Sequence, residues 1–424
     1  MNIAVIGNGG REHALGYAIS KSRDCSSLFF LPGNGGTHQL GTNIEINLED
    51  HNLVYSTLVD AKVDFVVVGP EVPIVNGLGD FLRAKGLIVF APSASAARIE
   101  SEKSYSKHIM KKYGIPTAEF REFKDYEFDS ALDYLRHGSF PVVLKADGLA
   151  AGKGVVIAAN FSDAEIALRD MMLNKIFGDA GLTVVIEEFM LGEEASIFAI
   201  TDGTDYLCLP AAQDHKRIGD DDSGPNTGGM GAYCPAPVVT PDISSRVNAE
   251  IIEPFLNGLI KELNPFSGCL YVGIMITENG PKVVEFNCRF GDPETQAVLP
   301  VLEGDFLGLL YSVAKGKLDP TKVWHNGSVA VSVVAASGGY PGKFEKGFEI
   351  SGLDLINGNN IVFHAGTKTI AEKTVTNGGR VLAITAVDKS GTISSAIKSA
   401  YLALKNISFK NIYFRNDIGK KALI

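Results

Sequence analysis

Glu285, Asn287 and Arg289 alternate with apolar residues in Val283-Val284-Glu285-Phe286-Asn287-Cys288-Arg289. A strand alternates its side chains, so a carboxylate, an amide oxygen and a guanidinium share one face, with Phe286 on the other. That trio suits a hard divalent cation carrying phosphates. Mg2+, or Mn2+ in its place, is held by one or two protein carboxylates plus substrate phosphates, and arginine grips a phosphate or carboxylate with parallel hydrogen bonds. Glu-x-Asn is a weak pattern alone, and other residues must supply the phosphate-binding charge.

Lys145 stands at the end of the apolar run Val142-Val143-Leu144, before a stretch with Gly148, Gly152, Lys153 and Gly154. This reads as strand, glycine loop, strand: the glycines let the backbone approach a polyphosphate, and Lys145 and Lys153 supply charge. No GxxxxGK[ST] is present and a strand follows, so it is not a Walker loop; an ordinary glycine-rich hairpin is the alternative. Thr183 to Ile186 is an apolar strand running into Glu187 and Glu188 and a short linker. Such a linker offers an acceptor and a backbone N–H to adenine, or is simply a charged strand end.

Near the start, Gly7-Asn8-Gly9-Gly10-Arg11-Glu12 joins a strand to a helix. A dinucleotide fingerprint would need glycine at position 12, and the second strand ends in Leu31-Pro32-Gly33 without the acidic residue that holds a ribose. An NAD site is therefore set aside. Backbone N–H groups at a helix N-terminus beside Arg11 form a possible anion site, with a tight turn and no ligand as the alternative. A phosphorylated sugar would suit Gly9, Gly10 and Arg11, with Glu71, after the strand Phe65 to Val68, on its hydroxyls.

The elements positioning these residues fall into three parts. Residues 1 to about 100 alternate strand and helix: strands Asn2–Ile6, Ser27–Leu31, Phe65–Val68 and Leu87–Phe90, and a helix from His13 to Lys21. This predicts parallel βαβ units with ligands at the carboxyl ends of the strands. A helix over Ser101–Tyr113 carries Lys103, Lys107, Lys111 and Lys112, usually a solvated face. Pro254–Leu263 reads as a helix, Leu270–Ile276 as a strand antiparallel to the Glu285 strand, and Ser328–Ile424 as a β-rich module with strands Val329–Ala335 and Arg380–Val387 and a helix over Ile393–Leu404. His364 reads as structural. Punctuation at Gly114–Pro116 and Gly316–Pro320 marks seams.

Composition limits the function. The 424 residues are 45% hydrophobic and 21% charged, enough for several cores. A net charge of -10 argues against a nucleic-acid partner. Five scattered cysteines without a CxxC pair indicate neither a disulfide framework nor zinc. No apolar run reaches transmembrane length and the N-terminus goes straight into a strand, so a soluble cytoplasmic protein is expected.

The order of a lysine-bearing helix, Val-Leu-Lys before a glycine hairpin, Glu-Glu-Phe-x-x-Gly-x-Glu at 187–194, and Glu-Phe-Asn-x-Arg at 285–289 resembles the ATP-grasp superfamily. Within it, Gly-Asn-Gly-Gly-Arg-Glu-His-Ala at 7–14, Lys-Ala-Asp-Gly-Leu-Ala-Ala-Gly-Lys-Gly-Val at 145–155, Gln213 to Arg217, Gly224 to Gly231 and Arg289 to Gln296 are similar to the phosphoribosylamine–glycine ligase family. The resemblance implies a parallel βαβ domain over 1–102, a two-subdomain ATP-grasp fold over 103–323 with a mobile glycine hairpin at about 122–191, and a β-rich domain over 324–424. It implies ATP contacts from Lys107, Lys145, Gly152, Lys153, Glu187, Glu188, Phe189, Leu191 and Glu194, and metal on Glu285 and Asn287. Gly9, Gly10, Arg11, Glu71, Asp214, Lys216, Arg289 and Gly291 would meet the substrates glycine and 5-phosphoribosylamine. Arg289, Lys145 and Asp214 would carry catalysis. Many ATP-grasp proteins place a second metal carboxylate on the neighbouring strand, where this chain has Gly273, Ile274 and Met275; Glu278 falls in the expected turn. The implied reaction is amide formation through glycyl phosphate, by a monomer in transient contact with the preceding pathway enzyme. A carboxylase using bicarbonate and a non-catalytic ATP-binding protein remain open alternatives.

Overall fold

A computed structural model describes residues 1–149 and 154–423. Gly152 and Lys153, both expected to meet ATP, lie outside the described residues.

Residues 1–100 form the expected parallel sheet, in the order Thr42–Asn43, Ser27–Pro32, Asn2–Gly7, Phe65–Val68, Ile88–Phe90. Its central strands are unbroken apolar runs, as a sheet covered on both faces requires. One face (Ala4, Ile6, Val66, Val68) shares a core with Val272, Val283 and Phe286 from the Glu285 region. The other (Ile3, Val5, Phe65, Val67) packs under Leu307, Leu309 and Leu310 of the Phe306–Ala314 helix. Burial on both sides ties this sheet to the middle of the chain.

The ATP-grasp region has two antiparallel sheets. One, in the order Phe120–Lys124, Thr183–Glu188, Val142–Ala146, Val155–Ala158, is backed by helices Phe128–Arg136 and Phe161–Met172. Its buried cluster draws only on residues between Phe123 and Ile186. A unit with its own core can move without breaching another, which suits the expected 122–191 subdomain. The other sheet runs Tyr206–Cys208, Glu193–Thr201, Gly268–Thr277, Gly280–Asn287, with Glu278 in the closing turn.

In the C-terminal sheet, Val329–Ser337, Arg380–Asp388 and Asn360–His364 pair antiparallel. Two segments from mid-chain, Gln213–Asp214 and Gly231–Cys234, extend that sheet. The segment between these two strands is thus anchored at both ends in the C-terminal sheet. The helix expected over Ser101–Tyr113 is Lys103–Lys112, and extended Glu102 (φ -132, ψ 98) separates it from a preceding helix, Ala94–Ser101, that was not expected. The first helix begins at Gly10 rather than His13, with Gly9 as its cap. Among the described residues no helix is long and apolar enough to cross a membrane.

Candidate active site

Lys107, Lys145 and Glu187 are buried charges that meet in the cleft. Lys107, on the Lys103–Lys112 helix, and Lys145, on Val142–Ala146, converge on one oxygen of Glu187, with Nζ–Oε2 distances of 3.1 and 2.9 Å. Lys107 also donates to Thr117 Oγ1 (2.8 Å), and Lys145 to the carbonyl of Val284 (3.0 Å). The register between Gly268–Thr277 and Gly280–Asn287 slips at Val284, and a bulge of this kind re-aims the backbone. Burial drives Lys107 down to about 8, with Glu187 opposing the fall. Glu187, expected among the ATP contacts, is buried as counter-ion to two lysines, because a buried ammonium demands an anion. Glu188 faces outward to Lys282 (3.0 Å). The expected linker is residues 189–192, with Phe189 half-buried and Leu191 exposed.

Glu285 and Asn287 lie on one face as predicted, with Asn287 Nδ2 3.3 Å from Glu285 Oε1. Burial opposes ionisation of Glu285, yet Lys216, Lys145, Lys103 and Arg289 outweigh it and hold its carboxyl below the ordinary value. Gly273 pairs opposite Glu285 and brings no second carboxylate from the neighbouring strand. Among the described residues no three His, Cys, Asp or Glu cluster as a self-sufficient metal cage. One carboxylate and one amide oxygen nonetheless fit Mg2+ that completes its shell with phosphates and water.

Arg289 lies beyond the strand's end. Its Nη2 meets Glu100 Oε1 at 2.9 Å, its Nε is 3.3 Å from Glu71 Oε2, and its Nη1 donates to the carbonyl of Phe290. Glu100 also accepts from the backbone N–H of Cys288 (2.8 Å) and so fixes the chain leading into Arg289. Arg289 is therefore held by two carboxylates before any ligand arrives. Glu71, expected to face sugar hydroxyls, sits between Arg289 and Arg11 (3.7 Å). Burial works against its charge, but both arginines hold its carboxyl low.

In the first glycine turn, expected as a possible anion site, two backbone amides have carboxylate partners within the chain. Gly9 N–H donates to Glu12 Oε2 (2.6 Å), and Arg11 N–H lies 3.3 Å from Asp292 Oδ2. The positive end of a helix attracts carboxylates, and here the chain supplies its own. Gly10 lets Gln296 approach closely, since a Cβ there would lie 2.4 Å from Gln296 Nε2 and displace that side chain. The Arg11 side chain points inward to Glu12 (2.5 Å) and the carbonyl of Phe290 (3.1 Å).

On the C-terminal side, Asp214 is held on the Gln213–Asp214 strand opposite Ala232, and Lys216 Nζ meets Glu194 Oε2 at 2.5 Å. Burial pushes the Asp214 carboxyl up to about 7, Lys216 opposing and Glu294, Glu194 and Glu285 adding to the rise. Burial works against the charge on Lys216, but Glu194 and Asp214 more than offset it and raise the ammonium well above its usual range. Glu194, expected to contact ATP, is thus also the partner of Lys216. Gly291 leaves room for Glu294: a Cβ there would be 2.5 Å from Glu294 Oε2.

Sequence reasoning missed Glu294, Glu100 and Asp147. Glu294 is buried and accepts from Tyr271 (3.0 Å) and Ser196 (3.1 Å); its place at the end of the Arg289–Glu294 run was the available signal. Asp147 caps the Lys103–Lys112 helix from outside, accepting from Ser104 N (2.9 Å) and Oγ (2.5 Å), while Lys103 Nζ donates to the carbonyl of Gly148. These contacts fasten the start of the glycine loop to the lysine helix. No sequence signal marks them.

Comparison with known proteins agrees with this geometry. Residues 1–100, 101–295 and 330–421 match the N domain, the ATP-grasp (A) domain and the C domain of phosphoribosylglycinamide synthetase. The phosphoribosylamine–glycine ligase of Rhizobium meliloti is 46% identical over the whole chain and 99% of its own length. A bifunctional purine biosynthetic protein of Pichia angusta is 46% identical over the whole chain, which spans 54% of that longer protein. The crystal structure of phosphoribosylamine–glycine ligase from Thermotoga maritima superposes with a TM-score of 0.83 at 32% identity, covering 99% of this chain and all of the other. A three-domain match over nearly the full length, together with these relatives, establishes that the chain belongs to the phosphoribosylglycinamide synthetase family of ATP-grasp enzymes, whose curated members carry the name phosphoribosylamine–glycine ligase.

Proposed function

We propose that this protein joins glycine to 5-phosphoribosylamine at the expense of ATP, through glycyl phosphate, in the purine pathway of the cytoplasm, working as a monomer. The observation that carries the reading is one cleft in which Lys107 and Lys145, the Glu285–Asn287 pair, Arg289, and Asp214 with Lys216 converge from separate strands, helices and loops of residues 101–295.

A carboxylate resists attack by an amine because oxide is a poor leaving group; phosphorylation replaces oxide with phosphate. Bound Mg2+ or Mn2+ would neutralise phosphate charge, with Glu285 and Asn287 holding it. Lys107 and Lys145 take the phosphates, their charge already assembled by Glu187, so little reorganisation accompanies transfer. Gly152 and Lys153 of the glycine loop add to that grip, Glu188, Phe189 and Leu191 line the adenine side, and Glu194 completes the nucleotide site. Arg289, fixed by Glu71 and Glu100, orients the glycine carboxylate. Gly9, Gly10, Arg11, Glu71 and Gly291 shape the sugar-phosphate side. Asp214, a carboxyl poised near neutrality, takes the proton released by the attacking amine, and Lys216 steadies charge beside it. The loop latched through Asp147 excludes water from the acyl phosphate.

The test is phosphate release from ATP with Mg2+, adding glycine, then glycine with fresh phosphoribosylamine, then bicarbonate in place of glycine. The expected result is release requiring glycine and the sugar amine together, and its loss in Glu285→Ala. Release that ignores glycine and follows bicarbonate would refute the named reaction.

A further inference from the structure

The hairpin Arg217–Gly219 and Ser223–Asn226 grows directly out of the segment bearing Asp214 and Lys216. Three consecutive aspartates at its tip look like a solvated acidic loop, yet each is engaged by the last residues of the chain. Asp220 accepts from Asn416 twice, N to Oδ1 at 2.8 Å and Nδ2 to Oδ2 at 3.1 Å. Asp221 N–H donates to Asp417 Oδ2 (2.8 Å). Asp222 takes Arg415 Nη1 (2.8 Å) on one oxygen and Lys421 Nζ (2.7 Å) on the other. Asp221 and Asp222 both adopt left-handed backbone (φ 53 and 52), a conformation side chains disfavour and surroundings must impose.

Arg415 is the centre of this contact. It is wholly buried, which is unusual for arginine, and its fork is committed at every nitrogen: Nε and Nη2 to Asp417 (2.8 and 2.7 Å), Nη1 to Asp222 and to the carbonyl of Arg217 (3.0 Å). That last bond grips the Arg217–Ile218 peptide, one residue beyond Lys216. From the other side, Thr227 N and Oγ1 both donate to the carbonyl of Lys216 at 2.8 Å. Lys216 therefore leaves the C-terminal sheet between two clamps, one of them built by the chain's end.

We propose that residues 415–417, with Arg415 at their centre, are a positioning clasp that sets Asp214 and Lys216 for turnover, so that the C-terminal tail acts in the reaction without touching substrate. The proposal rests on the reading of Asp214 and Lys216 as site residues. Removing one exposed half of the clasp should disturb their placement while leaving the ATP side, built on Lys107 and Lys145, unchanged.

The test is steady-state kinetics on the full chain with Asp220→Ala, Arg415→Lys, Lys216→Ala and the double variant Asp220→Ala/Lys216→Ala. Asp220 is solvent-facing, so Asp220→Ala keeps the fold even if Arg415→Lys, which loses the fork, does not. Asp220→Ala is expected to lower kcat, or raise the KM for phosphoribosylamine, by about 10-fold, with the KM for ATP moving less than about two-fold. In the Lys216→Ala background the same change should add almost nothing, because the clasp acts through that residue. Normal turnover in Asp220→Ala beside an impaired Lys216→Ala enzyme would overturn the clasp alone, as would equal effects on the ATP KM or full additivity in the double variant. Normal turnover in Lys216→Ala would instead sink the site assignment beneath it.

Discussion

Glu187→Gln separates a counter-ion from a nucleotide contact. Glu187 Oε2 stands 2.9 Å from Lys145 and 3.1 Å from Lys107, with all three side chains at most 7% exposed. Its other oxygen, Oε1, has no hydrogen-bond partner. Glutamine can therefore keep an oxygen toward both lysines and place its amide where no bond is lost, so the substitution removes charge and little else. Each pair at 3 Å is worth about 5 kcal/mol gross at an effective dielectric of about 20, and experience with broken buried pairs puts the net cost at about 3–5 kcal/mol. We expect the unliganded variant to unfold in urea with a stability about 3 kcal/mol lower, followed by far-UV circular dichroism. ATP phosphates bring the missing negative charge back to both lysines. With saturating Mg2+ and a non-hydrolysable ATP analogue the deficit should narrow by about 2 kcal/mol, which by linkage requires the analogue to bind about 30-fold tighter to the variant. Calorimetric titration reads that directly. Weaker binding would mean that Glu187 contacts the nucleotide itself, and an unchanged deficit would mean that the two lysines never meet the phosphates. Either refutes the reasoning.

Other expectations concern pH and the loop. Asp214→Asn should cut kcat about 100-fold and abolish an acid limb near pH 7 in the wild-type rate profile. Because the folded value of Asp214 lies above the unfolded one (3.8), the native state holds the extra proton between about pH 4 and 7; its contribution to stability falls as pH rises through that window, and Asn should remove this slope. Lys107 has the opposite sign: folded at about 8 against an ordinary 10.5, it adds stability as pH rises from 8 to 10.5, a gain absent from Lys107→Met in urea titrations. At the seam between the first and last domains, burial lowers His13 to about 3 and His364 to about 4, and the backbone N–H of His364 donates to His13 Nδ1. Stability should therefore drop as pH falls from 6.5 toward 4, and His13→Gln/His364→Gln should flatten that drop. Asp147→Ala should cost about 1 kcal/mol at the helix cap, seen as faster amide exchange at Ser104, and should let phosphate release outrun amide formation.

Charges with a chemical task were easier to find in the sequence than the charges that hold them. Lys145, Glu285 and Asn287 stand in runs whose periodicity fixes a face, so the direction of each could be expected from local pattern, whereas Asp214 was marked by the family resemblance alone. Glu187, Glu100 and Asp292 have carboxylates in the same cleft, but each takes its role from a partner far along the chain: Glu100 from Cys288 and Arg289, Asp292 from Arg11 and Arg380. No period within a strand or helix encodes such a pairing. The cap of the Lys103–Lys112 helix was hidden for the same reason, since the carboxylate that supplies it is Asp147, 43 residues away from Ser104. The alternating elements of residues 1–100 were legible because burial on both faces needs unbroken apolar runs. The mid-chain strands of the C-terminal sheet were not: Gln213–Asp214 is only two residues long and carries no apolar alternation.

This asymmetry has a consequence for how the cleft works. Among the described residues, Glu187, Glu71, Glu100 and Glu194 each face a lysine or arginine read as a site residue. A cleft built to receive polyphosphate would repel its own cations when empty, and burial would strip their protons, as the fall of Lys107 to about 8 begins to show. Internal carboxylates keep those cations charged and aimed without ligand, so phosphate enters a field that is already oriented. The same carboxylates compete with the ligand for each cation. Binding must then redistribute existing ion pairs rather than create charge.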